Sequence, residues 1–258
     1  MLRKLGSFNG LILGVISIFG AFFLEGGSPK ALFLISPIII VFGGTFAAAI
    51  IGFGFDKFTN ILTLARIAYF PVKYDKRKLI DAFVDFSIKS RKEGLLSIEK
   101  EIEKLHYHYP QKLVKFVIDG TDAETLHNIA YGEMKAMQDR HFSNIFIFTK
   151  MGGYAPTMGI IGTVMALIIT LANAGKEPTI LIHSIASAFI ATLWGIFSAN
   201  MIWLPIGDRL KQCHLEEKNM MEISLEGVMA LQSGEIPSVI KARLMSLLPQ
   251  SEQLEILM

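Results

Sequence analysis

Four long apolar runs, Phe8 to Leu24, Ala31 to Phe53, Ile145 to Ala172 and Ile180 to Ile206, constrain this chain more than anything else in it. A hydrocarbon layer about 30 Å thick is crossed by about 20 apolar residues in a helix, and each run comes near that length. The runs do not alternate apolar with polar residues, which excludes the strands of a membrane barrel. Helices satisfy their own backbone groups in lipid. The sequence therefore predicts an all-α, polytopic membrane protein with four transmembrane helices and a helical cytoplasmic domain. With 52% hydrophobic and 19% charged side chains among 258 residues, the chain is too apolar for a soluble domain of its size.

The first run follows Arg3 and Lys4, as a signal peptide would, yet no small-x-small cleavage site follows Leu24 and the run exceeds a usual signal core. It is read as a retained helix. Basic residues cluster on one side of the spans: Arg3 and Lys4, then Lys57, Arg66, Lys73, Lys76, Arg77 and Lys78, then Arg209, Lys211 and Lys218. The opposite side has only the loops Glu25 to Lys30 and Gly175 to Pro178. The positive-inside rule places both termini in the cytoplasm. Four segments follow: residues 1–54 with helices 1 and 2, 55–144 as a cytoplasmic helical domain, 145–207 with helices 3 and 4, and 208–258 as a cytoplasmic helical tail.

Within the cytoplasmic segment, Phe55 to Tyr74 mixes basic and aromatic residues around Ile61, Leu64 and Ile67, a pattern suited to the headgroup level. Lys76 to Ser90 and Lys92 to Leu105 read as amphipathic helices with Gly94 a weak point between them. Thr121 to Glu124 fits a capping box that opens a helix running into the third span. Gly234, Pro237 and Pro249 interrupt the tail. A net charge of +2 gives no reason to expect nucleic acid. The lone Cys213 excludes an internal disulfide.

The candidate functional residues lie in Tyr154 to Ala174 and Ile180 to Pro205, which carry Pro156 and Thr163, and Thr192 and Pro205, without any acid. Pro156 and Thr163 are two helical turns apart, roughly 10 Å along one face. Prolines free backbone carbonyls that can line a polar path. Mid-span hydroxyls either bond across helices or offer oxygen to a cation, and the residues alone leave both readings open. A polar path without a carboxylate relays no cation unless another chain supplies the charge. Small residues at every fourth position, Gly159 among them, and Gly195 three residues after Thr192 let helix backbones approach closely. Gly153 to Gly159 lacks the Lys-Ser/Thr of a phosphate loop, and His106 and His108 are spaced wrongly for one metal on a helix face. No enzyme signature, resident cofactor or metal is expected.

The blocks YAPTMGIIGTVMALI (Tyr154 to Ile168) and SAFIATLWGIFSANMIWLPIGDRLK (Ser187 to Lys211) resemble the paired third and fourth helices of the MotA/PomA flagellar stator family. SRKEGLLSIE, EMKAMQDRH and LEGVMALQSGEIPSVIKARLMSLLP resemble it too. The resemblance implies a bacterial inner-membrane stator subunit, five copies around two MotB-type partners whose aspartate receives the ion. It implies that Pro156 faces that aspartate, that Pro205 stands at the cytoplasmic end of the fourth helix, that these prolines with Thr163 and Thr192 belong to the ion path, and that Arg91 and Glu99 contact the rotor protein FliG. Read as one helix, the latter pair would lie about 12 Å apart on one face. The transported cation is left between H+ and Na+: Thr163 resembles sodium-type members, Ala191 the proton type. An ExbB/TolQ-type energiser of a periplasm-spanning partner and a passive membrane scaffold are the rival readings.

Overall fold

The computed structural model describes residues 6–175 and 178–257; Arg3, Lys4, Lys176 and Glu177, used above to argue orientation, lie outside the described residues. Among the described residues there are helices and no strand. In chain order the principal helices are α1 (Gly6–Leu24), α2 (Ile35–Phe53), α3 (Phe55–Thr59), α4 (Ile61–Tyr69), α5 (Lys76–Glu93), α6 (His108–Ile118), α7 (Ala123–Ala172), α8 (Pro178–Gln232), α9 (Pro237–Ser246) and α10 (Gln250–Leu257). Three of them, α2, α7 and α8, are long and apolar enough to cross a membrane, whereas Phe8–Leu24 of α1 forms a shorter apolar helix.

The chain divides into two compact units, Met1–Pro71 with Phe142–Gln212, and Val72–His141 with Cys213–Met258. In the first, Ile147, Phe148, Met151 and Ala155 of α7 pack with Ala199, Trp203, Ile206 and Leu210 of α8 and Ala49 of α2. Ile61, Leu64 and Ala68 of α4 join this core because three-, four- and seven-residue steps bring them to one helix face. Leu62 and Ile67 remain exposed on the other. Large apolar residues of α1 and α7, such as Leu13, Ile16, Ile160 and Ile168, are also exposed, as helices that meet lipid or neighbouring chains require.

Two wide π turns interrupt these spans, at Ile39–Gly43 in α2 and Ala199–Trp203 in α8. The second has a readable cause. Pro205 has no N–H for the Met201 carbonyl and its ring crowds that oxygen, and a wide turn immediately before it, closed by Leu204 N–H to Ala199 O, relieves the crowding. Pro156, by contrast, is carried inside α7 without a break in the helix.

The second unit is built around Ile80, Phe83 and Phe86 of α5, Leu113 and Val117 of α6, Leu126 and Met137 of α7, Ile223 and Val228 of α8, and Ile240 and Leu244 of α9. Gly227 makes room for the Phe83 ring, whose Cδ2 would stand 2.7 Å from a Cβ there. Gly234 takes a positive φ of 67° after α8, and Pro237 opens α9 at its first turn, the roles these residues favour.

Two expectations need correction. The cap of α7 is Asp122 rather than Thr121: its Oδ1 accepts from the Thr125 backbone N–H at 2.9 Å. Lys92 to Leu105 is not a second α-helix. After α5 ends, Gly94 adopts φ 85° and ψ 163°, a region essentially confined to glycine, and residues Leu95–Lys104 then form a 3-10 helix. Its first and last bonds, Ser97 N–H to Gly94 O and Leu105 N–H to Ile102 O, both span three residues. The tighter turn still buries Ile98, Ile102 and Leu105.

Candidate functional site

Where α7 and α8 meet inside the first unit, their backbones touch. A Cβ on Gly159 would stand 2.9 Å from Ala191 O and 3.3 Å from Thr192 Cα, and one on Gly195 would stand 2.8 Å from Ala155 O and 3.3 Å from Pro156 Cα. Gly162 faces Ala191 in the same way, 2.7 Å from its Cβ. Without side chains at these positions the helices approach until only hydroxyls and carbonyls fit between them.

Thr163 and Thr192 fill that seam. Their hydroxyl oxygens lie 2.6 Å apart, and Thr163 Oγ1 is also 3.0 Å from Gly159 O and 3.1 Å from Ala188 O. A hydroxyl has one hydrogen to give. If Thr163 donates to either carbonyl, Thr192 donates to Thr163, and the reverse donation leaves the carbonyls free. The result is a half-buried cluster of four neutral oxygens, two hydroxyls and two carbonyls. It can rearrange its hydrogen bonds or offer oxygen to a cation. It holds no group that could keep a proton or balance a charge.

The structure brings Pro156, Gly159, Thr163, Thr192 and Gly195 together and leaves Pro205 apart, about 20 Å further along α8 by helical rise and exposed. Arg91 and Glu99 are both exposed, but they do not share a helix. Gly94 breaks the chain between them, so Arg91 sits in the last turn of α5 and Glu99 on the 3-10 helix. Arg91 Nη1 donates to Gly234 O at 3.0 Å. The two elements are joined by the Lys89 to Glu101 ion pair, with Lys104 adding a second cation 3.0 Å from Glu101. Hydrogen bonds from Lys89 and then Lys104 hold the Glu101 carboxyl below the usual carboxylate range, and Glu101 in turn raises Lys89.

Two features escaped the reading of the residues. Trp194 donates its indole N–H to Leu32 O at 2.8 Å amid Phe19, Phe33, Phe42 and Phe197, tying α8 to the turn before α2. A tryptophan in an apolar run was the available signal, though not its partner. In the second unit, His141 and buried His214 place their Nδ1 atoms 3.3 Å apart, with Glu217 4.0 Å from His141 Nε2. Desolvation is the main cause that holds both imidazoles below their ordinary range; Arg140 adds to it at His141, His141 and Lys218 at His214, and Glu217 opposes it at both.

Comparison with known proteins places this geometry in a lineage. The sequence model of the MotA/TolQ/ExbB proton channel family matches residues 97–223. Motility protein A of Bacillus subtilis (strain 168) is 34% identical over 253 residues, covering 96% of this chain and 92% of that protein. Chemotaxis protein PomA of Vibrio alginolyticus is 30% identical over 249 residues, covering 96% and 97%. Among solved structures, the flagellar MotAB stator complex from Bacillus subtilis superposes with a TM-score of 0.89 at 33% identity, covering 96% of this chain and 97% of that one. The fold is shared also with C. jejuni MotAB, with a TM-score of 0.89 over 95% and 96% of the two chains at 23% identity. With relatives of this identity over nearly its whole length, the chain belongs to the motility protein A group of the MotA/TolQ/ExbB proton channel family.

Proposed function

We propose that this chain is an ion-driven, torque-generating stator subunit of a bacterial flagellar motor. In this reading it works as a homopentamer around a MotB-type dimer in the inner membrane, crosses the bilayer four times with α1 as the first span, and keeps both termini in the cytoplasm. The observation that carries it is the seam of neutral oxygens around Thr163 and Thr192, held by Gly159 and Gly195 and lacking any carboxylate. Such a seam passes a cation only beside a partner that brings the charge. The named relatives and the solved stator complex support a partner of that kind.

Pro156, in backbone contact with Gly195, is assigned to the wall facing the partner's aspartate, with Thr163 and Thr192 bordering the H+ or Na+ path and Pro205 at its cytoplasmic end. Arg91 and Glu99 are assigned to the rotor protein FliG from two separate elements. Exposed charges of this kind set encounter rate and partner choice more than stability. Each ion supplies about 2.3 kcal/mol per 100 mV of membrane potential, and this work drives rotation rather than a chemical reaction.

The test is swimming speed in a host lacking its own stators and supplied with this chain and its cognate partner, with sodium varied at fixed pH, with and without a protonophore. Speed that tracks sodium and survives the protonophore assigns Na+ to the seam; sodium-independent speed abolished by the protonophore assigns H+. Pro156→Leu is expected to stop swimming at normal membrane abundance. Undiminished swimming by that variant would favour the passive scaffold and sink the proposal.

A further inference from the structure

Pro205, which stands apart from the hydroxyl seam, borders a different space. Within the first unit, α1, the last turn of α4 and the stretch of α8 from Met201 to Gln212 enclose a cleft of about 400 Å³, in the size range of small-molecule sites. Its wall is apolar at Leu11, Met201 and Ile206 and polar at Asp208, Arg209 and Gln212. The polar end carries one cation and one anion in adjacent positions, and neither Asp208 nor Arg209 has an ion-pair partner among the described residues. Arg209 Nε is buried without a hydrogen-bond acceptor. Such an orphaned, charged donor is costly, and the two Nη nitrogens beside it, which are neither buried nor bonded to any described residue, are the donors left for an acceptor in the cleft.

The occupant's chemistry follows from this arrangement. A guanidinium selects phosphate, bonding it through its planar fork of donors. Asp208 beside it would repel a headgroup that is only anionic and attracts one that also carries a cation. An ammonium satisfies the carboxylate with N–H donors, which a quaternary amine lacks. The apolar wall suits an alkyl chain, and the outward faces of α1 at Leu13 and Ile16 are exposed apolar surface of the kind lipid covers. We infer that the cleft binds a phospholipid with a phosphoethanolamine headgroup, its phosphate on Arg209, its ammonium on Asp208 and an acyl chain along Leu11, Met201 and Ile206. The inference rests on the membrane location proposed above and on nothing about torque.

Native mass spectrometry of the full chain, purified and stripped of lipid in detergent, tests it by titration with phosphatidylethanolamine, phosphatidylglycerol and free phosphoethanolamine. The wild-type chain is expected to retain phosphatidylethanolamine about tenfold more tightly than phosphatidylglycerol, the worth of one charge-assisted hydrogen bond. Arg209→Gln should weaken both lipids by about tenfold. Asp208→Asn should erase the preference while sparing phosphatidylglycerol, a change of selectivity that misfolding does not mimic. Leu11→Trp, which fills the apolar end, should exclude lipid altogether. Equal retention of the two lipids, or free phosphoethanolamine binding as tightly as the lipid, would overturn the proposal. So would absence of lipid together with a disulfide between copies carrying Leu11→Cys, which would assign the cleft to a subunit contact. Lipid selectivity in a chain that fails to support swimming would count against the stator reading alone.

Discussion

Gly159 and Gly195 leave no room for a methyl group, because the atoms a Cβ would meet at 2.9 and 2.8 Å are backbone carbonyl oxygens that cannot swing aside. Gly159→Ala or Gly195→Ala is expected to destabilise the chain by about 1–3 kcal/mol, the usual cost of overpacking, and to lower its thermal midpoint in detergent. Gly153→Ala serves as the control, since nothing lies within 4 Å of its Cβ position and a helix favours alanine. Thr192→Val keeps the shape of the seam and removes one hydroxyl, so stability should change by about 1 kcal/mol while swimming is lost at normal membrane abundance. The hydroxyls were legible in the sequence, because depth in a span is counted from its ends. The pairing of Gly159 with Gly195 was not, since it depends on which faces of two helices meet, and Arg209 entered only as one of the basic residues that set orientation.

At the scale of elements, Gly94 is the turning point between α5 and the 3-10 helix. Its φ of 85° with ψ of 163° admits few other residues, so Gly94→Ala should cost about 1–3 kcal/mol in denaturant unfolding. The same variant moves Arg91 relative to Glu99, and motor localisation should weaken with it. Helix existence was readable from run length in the spans and from periodicity in α5, and Gly94 stood out as a weak point, whereas α6 (His108–Ile118) was not singled out. Helix type was not, because Leu95, Ile98, Ile102 and Leu105 suit an α-helix and a 3-10 helix almost equally well. The π turn before Pro205 was likewise hidden: a proline announces a missing bond but not how the helix absorbs it.

Across the whole molecule, composition alone separated apolar spans from charged helices, while the histidine pair, 73 residues apart in sequence, required the fold. Only one Nδ1 of His141 and His214 can carry a proton while they remain bonded. Because burial depresses both folded-state values below the ordinary imidazole value of about 6.5, their contribution is complete above that pH and lost as pH falls through the depressed folded values. Denaturation between about pH 7.5 and about pH 5 should therefore show stability falling toward acid, and the His141→Gln, His214→Gln double variant should flatten the curve. The seam of neutral oxygens has a consequence for the cell before any motor exists. Newly inserted copies are expected to leave the membrane potential undisturbed, which would make a surplus over the partner harmless. Vesicles holding this chain alone are expected to retain an imposed potential, and its rapid collapse on adding a protonophore marks the sensitivity of that assay.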